Sequence, residues 1–377
     1  MKLAIIGQGY VGTSLGLAAM QKGHEVIGID NSTKRVLELK EIGYAVTCEI
    51  ERISDADIVV IAVPTPLDEN RQPDLSYLID ASQEIKKHAK KGTLIVNEST
   101  SYPGTLRNLI SPILGPDYHL AVAPERIDPS NSEWTIENTP RVIGALTMKA
   151  LDLSVFFYST IATKIFTVSS PEVAEAAKLF ENTFRQVNIA FVNEFSQIAK
   201  ALNIPTVETL EAAATKPFGF MSFMPGVGVG GHCIPIDPVY LSHAAKKVGY
   251  EARFINLADE VNGQMPDFII RKLQESVKLE NKVVQIAGIA YKSNTNDVRE
   301  SPAIKLIQLL RNSGASVIWN DDLVKIYENE SSAKLQKVDV GIVCTHHDYM
   351  NFSPWLNSGT RIIDVSTSKN SGLVKFL

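Results

Sequence analysis

Cys233 lies in the run Pro225-Gly-Val-Gly-Val-Gly-Gly-His-Cys-Ile-Pro-Ile-Asp237, where a thiol and a carboxylate stand four residues apart behind a glycine-rich bend. Beyond Pro238, the residues Tyr240, Leu241, Ala244, Ala245 and Val248 recur at helical spacing, so Cys233 is expected just ahead of a helix N-terminus. Free amides and the helix dipole there favour a thiolate, the form of cysteine that acts as a nucleophile. The glycines leave so little side chain that a ligand could lie against the backbone. The competing reading is a tight turn around an inert buried thiol, since free cysteine is usually a core residue, and the motif by itself does not choose between them.

A second set of polar groups is embedded in an apolar stretch. From Pro171, the residues Val173, Ala177, Phe180, Phe184, Val187, Phe195, Ile198 and Leu202 follow helical periodicity, which predicts one long, largely buried helix. Lys178 and Asn182 are four apart and share a face of it. Each alone reads as a solvated side chain; together on an apolar helix they point to an internal site. Glu125 is a carboxylate able to hold or activate water, or else a helix cap or surface ion pair.

These residues need a frame, and the sequence supplies alternating strands and helices. Lys2–Ile6 reads as a buried strand, the turn Gly7-Gln-Gly9-Tyr10-Val11-Gly12 opens a helix, and a second strand, Glu25–Ile29, ends at Asp30. That is where a dinucleotide-binding unit places the acid for the adenosine ribose diol, with the pyrophosphate at the helix N-terminus. Asp30 favours NAD over a phosphorylated ribose, a preference tempered by Lys34 and Arg35. Parallel strands are predicted at residues 57–63, 93–97 and 120–123. The segments after them, Pro64-Thr65-Pro66, Glu98-Ser-Thr100-Ser101 and Pro124-Glu125-Arg126, should therefore face cofactor and substrate. After Gly263 and Pro266 the pattern returns to strand and helix: strands at 282–288, 315–319, 338–344 and 361–365, and a helix at 301–310 with Pro302 in its first turn. This is a second, smaller doubly wound domain. Its first loop, residues 290–300, lacks the glycine fingerprint but carries Lys292 and Arg299, suited to phosphates or simply an ordinary charged loop.

The 377 residues suffice for two or three domains. A net charge of -5 and the absence of a lysine or arginine cluster argue against nucleic acid or an anionic membrane as the main partner. Cys48, Cys233 and Cys344 are odd in number and widely spaced, which suggests neither a disulfide framework nor a metal site, and a reducing cytoplasm fits best. The apolar start is too short for a signal peptide.

Together these segments resemble the UDP-glucose/GDP-mannose dehydrogenase family over almost the whole chain. The matching residues are Gly7-Gln-Gly-Tyr-Val-Gly12, Val63-Pro-Thr-Pro-Leu67, Asp74-Leu-Ser-Tyr77, Glu98-Ser-Thr-Ser-Tyr-Pro-Gly-Thr105, Pro124-Glu-Arg126, Lys178-Leu-Phe-Glu-Asn182, the Cys233 run, and Ala290-Tyr-Lys292 to Arg299-Glu-Ser-Pro302. Thr215-Lys-Pro-Phe-Gly-Phe-Met221 with Gly230-Gly-His-Cys-Ile-Pro-Ile-Asp-Pro238 looks like the branch that oxidises UDP-N-acetylhexosamines.

The resemblance implies an α/β protein with two Rossmann-like doubly wound domains joined by a long central helix. Residues 1–168 would bind NAD, 169–265 would form a central helical domain with the cysteine loop, and 266–377 would bind the UDP-sugar. It implies a homodimer through the long helix, with the segment from Lys216 to Met221 reaching toward a neighbour's sugar site. The implied reaction is a twofold NAD-dependent oxidation of carbon 6 through a thiohemiacetal and a thioester on Cys233. Lys178 and Asn182 would stabilise oxygen charge; Asp237 and Glu125 would orient or deprotonate water positioned by Thr100, or alternatively by Ser101. Gly7, Gly9, Tyr10, Val11, Gly12, Asp30, Pro64, Thr65, Thr100 and Lys292 would contact NAD. Glu125, Arg126, Lys178, Asn182, Lys216, Phe218, Gly219, Gly230, Gly231, Tyr291, Lys292 and Arg299 would contact the sugar nucleotide. The stretch between Asp30 and Val63 and the part after Asp322 are shorter than the family pattern, in peripheral helices and loops. Oxidation of UDP-glucose, a single-step hydroxyacid dehydrogenase and a binding protein without chemistry are the rival readings.

Overall fold

Leu3, Ala4, Ile5 and Ile6 are all buried in β1 (Lys2–Ile6), as a central parallel strand covered on both faces requires. The computed structural model describes residues 1–127, 131, 133–368 and 371–377. It divides into two units, Met1–Glu181 with Val239–Glu251, and Asn182–Pro238 with Ala252–Leu377.

In the first unit β1 is followed by α1 (Tyr10–Gln21), β2 (Glu25–Ile29), α2 (Thr33–Glu41), β3 (Val46–Thr47), β4 (Ile58–Ile61), α3 (Ser76–His88) and β5 (Leu94–Asn97). A helical segment at residues 106–114 ends in α4 (Ser111–Leu114), and β6 (His119–Val122), β7 (Arg141–Ala145), α5 (Met148–Tyr158) and β8 (Ile165–Thr167) complete the sheet. Its order is β3-β2-β1-β4-β5-β6-β7-β8, parallel apart from the β6–β7 pair. The order in which strands are added reverses between β1 and β4, the position at which open α/β sheets bind ligands beyond their carboxyl ends. The short stretch between Asp30 and Val63 holds only α2, β3, a 3₁₀ turn and β4.

Next come α6 (Pro171–Leu202), α7 (Thr206–Ala214), α8 (Asp237–Lys247) and α9 (Arg253–Gln274). They are followed by β9 (Val283–Ala287), α10 (Pro302–Asn312), β10 (Ser316–Asn320), the ribbon β11 (Ile326–Tyr327) and β12 (Glu330–Ser331), β13 (Val340–Val343), α11 (Ser353–Ser358) and β14 (Arg361–Asp364). The second sheet is parallel in the order β10-β9-β13-β14. Two Rossmann-like sheets and a long helix between them in the chain are the fold that the alternation predicts.

Two expectations change. The 32 residues of α6 form one helix about 48 Å long, but it is not largely buried. Val173, Phe180, Phe184, Phe191, Ile198 and Leu202 are all exposed, Phe180 and Phe191 by 67%. Helical periodicity reports that an apolar face exists; it does not say that the same chain covers it. The change of pattern at Gly263 and Pro266 is not a break either, because both residues lie inside α9. Proline cannot donate to the preceding turn, and Lys305 Nζ donates to the Gly263 carbonyl at 2.6 Å from outside the helix.

Both sheets use the same first turn. Gly7 has φ +92° and donates its amide to the Ile29 carbonyl at 2.8 Å; Gly288 has φ +78° and donates to the Asn320 carbonyl at 2.8 Å. A Cβ at Gly7 would overlap the Ala62 carbonyl, and one at Gly288 the Thr345 carbonyl, so both positions require glycine for conformation and for space. In the first sheet Gln8 N donates to Asp30 Oδ2 at 2.8 Å. In the second, Ile289 N and Ala290 N donate to Asp321 Oδ2 at 3.0 and 3.1 Å. Asp321 is fully buried and also accepts from Leu323 N, Val324 N and the His347 ring. Asn294 N donates to His347 Nδ1, which leaves Nε2 to carry the proton toward Asp321.

Candidate active site

The glycine turn after β1 passes a direct test for a dinucleotide. A Cβ at Gly12 would overlap the Gly7 carbonyl, so α1 packs onto the turn only with glycine there, whereas a Cβ at Gly9 would meet nothing within 4 Å. The space beside Gly9 is therefore open, and α1 begins at Tyr10 and Val11 with no side-chain cap on its first amides. Those amides can receive a pyrophosphate. Asp30, half-buried at the end of β2, accepts from Gln8 N and from Ser32 N at 2.9 Å. Arg35 donates to the Gln8 carbonyl at 2.8 Å, to Thr13 Oγ1 at 3.2 Å and to Glu38 at 3.2 Å, so its guanidinium braces the turn. The residues present fit NAD.

The strand ends also face this side of the sheet. Thr65 is buried after Pro64, and the Ser99 hydroxyl donates to the Val63 carbonyl at 2.9 Å, joining the ends of β4 and β5. Glu98 does not face a ligand. It is fully buried, 3.1 Å from Arg141 and 2.5 Å from the Tyr158 hydroxyl, with burial as the main force raising its pKa. This network ties β5 to β7 and α5. Ser101 is likewise buried and donates to Glu175, while Thr100 beside it is half-exposed. Glu125 is buried with its Oε1 accepting from Ile127 N. Arg126 grips Glu181 on α6 through Nε at 3.0 Å and Nη2 at 2.7 Å and donates to the Pro140 carbonyl. Lys178 is half-buried one turn of α6 earlier.

In the second unit, Asn182 Nδ2 donates to Asp237 Oδ2 at 2.6 Å, both residues buried. Asp237 opens α8, where the dipole favours its charge. The amides of Ile236 and Asp237 donate to the Cys233 carbonyl at 3.1 and 2.8 Å, which fixes the cysteine immediately before the helix. Its side chain is exposed, as is that of Cys48; Cys344 is the buried thiol, its pKa raised by burial. The inert core reading therefore fits Cys344 and not Cys233.

Arg299 is held by Asp297 at 2.6 Å, and Cys233 is among the groups that raise its pKa. Burial and the Arg299 cation lower the pKa of His232.

The glycine run has a steric requirement within the protein itself. A Cβ at Gly230 would come within 2.8 Å of the Glu300 carbonyl and the Tyr291 side chain, and one at Gly231, φ +85°, within 2.6 Å of the Tyr291 ring. Gly231 N donates to the Arg299 carbonyl at 3.0 Å. The missing side chains make room for the protein's own loop between β9 and α10. A buried amide chain holds the run from beneath: Gly226 N donates to Asn193, Asn193 to Asn262, and Asn262 to the Gln186 carbonyl. Lys216, Phe218 and Gly219 lie on an exposed segment, with Lys216 Nζ 5.0 Å from the Phe218 ring. Lys292 is half-buried. Sequence reading missed Glu175 and Arg141; an acid on the inner face of an apolar helix is the one signal that could have exposed the former.

The open turn over Asp30 gives the first sheet the build of an NAD-binding domain. The chain belongs to the UDP-glucose/GDP-mannose dehydrogenase family: its NAD binding domain matches residues 42–162, its central domain 172–264 and its UDP binding domain 285–366. Residues 2–70 also match the coenzyme F420-dependent NADP oxidoreductases. A UDP-N-acetyl-D-mannosamine dehydrogenase of Methanocaldococcus jannaschii is 34% identical over 93% of this chain and 87% of its own. A UDP-N-acetyl-D-glucosamine 6-dehydrogenase of Salmonella typhi is 35% identical over 82% and 79%. The solved UDP-D-ManNAc dehydrogenase of Pyrococcus horikoshii superposes with a TM-score of 0.86 at 30% identity, covering 100% of this chain and 98% of that one. Among the described residues no helix is long and apolar enough to cross a membrane, and no cluster of His, Cys, Asp or Glu could hold a metal ion.

Proposed function

We propose that the protein oxidises carbon 6 of a UDP-N-acetylhexosamine from alcohol to carboxylate, in two NAD-dependent steps through Cys233. The observation that carries this reading is an exposed cysteine fixed at the start of α8, in a chain whose relatives are named for UDP-N-acetylmannosamine and UDP-N-acetylglucosamine. Bound NAD supplies the hydride acceptor. Lys178 and Asn182 hold the carbon 6 oxygen while it carries negative charge. The Cys233 thiolate adds to the aldehyde carbon, so the intermediate stays attached to the protein and needs no hydration before it is oxidised again. Asp237 and Glu125, with Thr100, orient and deprotonate the water that opens the thioester; the carboxylate leaves and the thiolate returns. Arg126, Lys216, Phe218, Gly219, Tyr291, Lys292 and Arg299 are assigned to the sugar nucleotide.

Counting NADH per sugar consumed tests the reading, with UDP-N-acetylglucosamine, UDP-N-acetylmannosamine, UDP-glucose and GDP-mannose offered separately. Two NADH from a UDP-N-acetylhexosamine is the expected result. One NADH per sugar, or turnover of UDP-glucose alone, overturns it.

The exposed residues Val173, Phe180, Phe184, Phe191, Ile198 and Leu202 fall at steps of seven or four along α6, which makes an apolar stripe. We infer that this stripe pairs with a second copy of the chain and that the molecule is a homodimer. Replacing both Phe180 and Phe191 with glutamate is expected to give a monomer by light scattering; an unchanged mass sinks the inference.

A further inference from the structure

Glu175 lies on α6 three residues before Lys178 and is 1% exposed. Its Oε2 accepts from Gly104 N at 2.6 Å, and its Oε1 from Leu106 N at 2.9 Å and the Ser101 hydroxyl at 3.4 Å. All three donors belong to the segment that leaves β5 and carries Thr100. Asn97 Nδ2 holds Ser101 from the strand side at 3.3 Å, and Ser99 is tied to the Val63 carbonyl. Thr100 is thus flanked by two anchored serines, and the anchor on one side is a carboxylate of the helix that bears Lys178.

Burial of a charge is costly unless hydrogen bonds or a partner compensate it, and here the compensation comes from the Thr100 segment itself. Here two backbone amides point at the two oxygens of one side chain. An ionised carboxylate accepts from both; an amide puts a donor where one of them needs an acceptor, and protonation weakens the acceptance by removing the charge and one lone pair.

We propose that Glu175 is a positioning residue for the reaction assigned above: its carboxylate locks the Thr100 segment to the turn of α6 that carries Lys178. This rests on that functional reading. Burial raises the Glu175 pKa to about 7 against the lowering effect of its donors. The charged groups facing it are Glu172 on α6, which adds to the rise, and Arg107 on the segment after β5, which is bound to Glu172 at 2.6 Å. Glu175 therefore loses its charge as pH falls through about 7, and the lock loosens in that range.

The test compares full-length wild type, Glu175→Gln and Glu175→Asp between pH 5.5 and 8.5. At pH 8 the glutamine variant is expected to lose roughly 10- to 100-fold in kcat, the scale of a misplaced catalytic group, with the sugar-nucleotide KM changed by less than about threefold. Wild-type kcat is expected to fall below about pH 7, and the glutamine variant should lack the part of that fall due to residue 175, because glutamine does not ionise. Aspartate keeps the charge and should recover part of the rate and the acid limb. Amide hydrogen exchange at residues 101–106 gives a readout independent of turnover, and it should quicken in the glutamine variant. A kcat within twofold of wild type with the acid limb intact, or unchanged exchange, overturns the proposal. If glutamine prevents folding, the wild-type acid limb and the aspartate variant decide it alone: no fall in either near pH 7 overturns it. Wild type without turnover but with the exchange difference faults the functional reading and leaves the lock standing.

Discussion

Cys233→Ser is expected to lower NADH formation from a UDP-N-acetylhexosamine by about 10³-fold or more, the scale on which enzymes lose rate with their nucleophile. Serine keeps the shape and the position before α8, but its hydroxyl is not ionised near neutral pH and adds to an aldehyde without holding it. The thiol is exposed, and Arg299 lies close enough for Cys233 to raise its pKa, so a thiolate there has a cation nearby. Because the side chain is exposed, unfolding free energy should move by no more than about 0.5 kcal/mol. A large loss of rate with unchanged stability would locate the effect in the chemistry. If the variant instead yields NADH at the wild-type rate, one per sugar, the covalent mechanism is wrong and a single-step dehydrogenase replaces it.

The second large effect belongs to Asn182. Truncation to alanine removes the 2.6 Å bond to Asp237 and the amide proposed to hold the carbon 6 oxygen. Loss of one such donor typically lowers kcat by about 10²- to 10³-fold. The same substitution takes a donor from a buried carboxylate, so it should also lower unfolding free energy by about 1–3 kcal/mol. A urea titration measures the second loss and steady-state kinetics the first. Loss of stability with kcat retained would reduce Asn182 to a support for Asp237.

The core strands were legible because buried parallel strands leave continuous apolar runs between turn residues, as residues 58–61 and 94–97 do. The strands β7 and β8 were not: Arg141 opens the first, and β8 leaves Phe166 and Thr167 exposed, so neither has an unbroken apolar run. Its arginine is explained only by Glu98 and Tyr158, partners 43 and 17 residues away in sequence. Cys233 and Asp237 could be found by type and spacing. The reason for the glycines beside them could not, since only the fold shows Tyr291 and Glu300 occupying the room they leave. Glu175 escaped for the same reason: its meaning lies in two amides some seventy residues upstream.

The repeated first turn of the two sheets has a consequence in lone pairs. A carboxylate offers about four acceptor positions. Among the described residues two donors reach Asp30, from Gln8 and Ser32, and its half-exposed remainder can still accept from a ribose diol. Asp321 receives four backbone amides, an imidazole and the Tyr349 hydroxyl, and it has no exposed surface. One backbone shape thus makes an open receptor in the first sheet and a closed shell in the second. A nucleotide bound at the second sheet must bring its hydroxyls to other acceptors, and for that reason a second dinucleotide does not compete there on the terms set by the first.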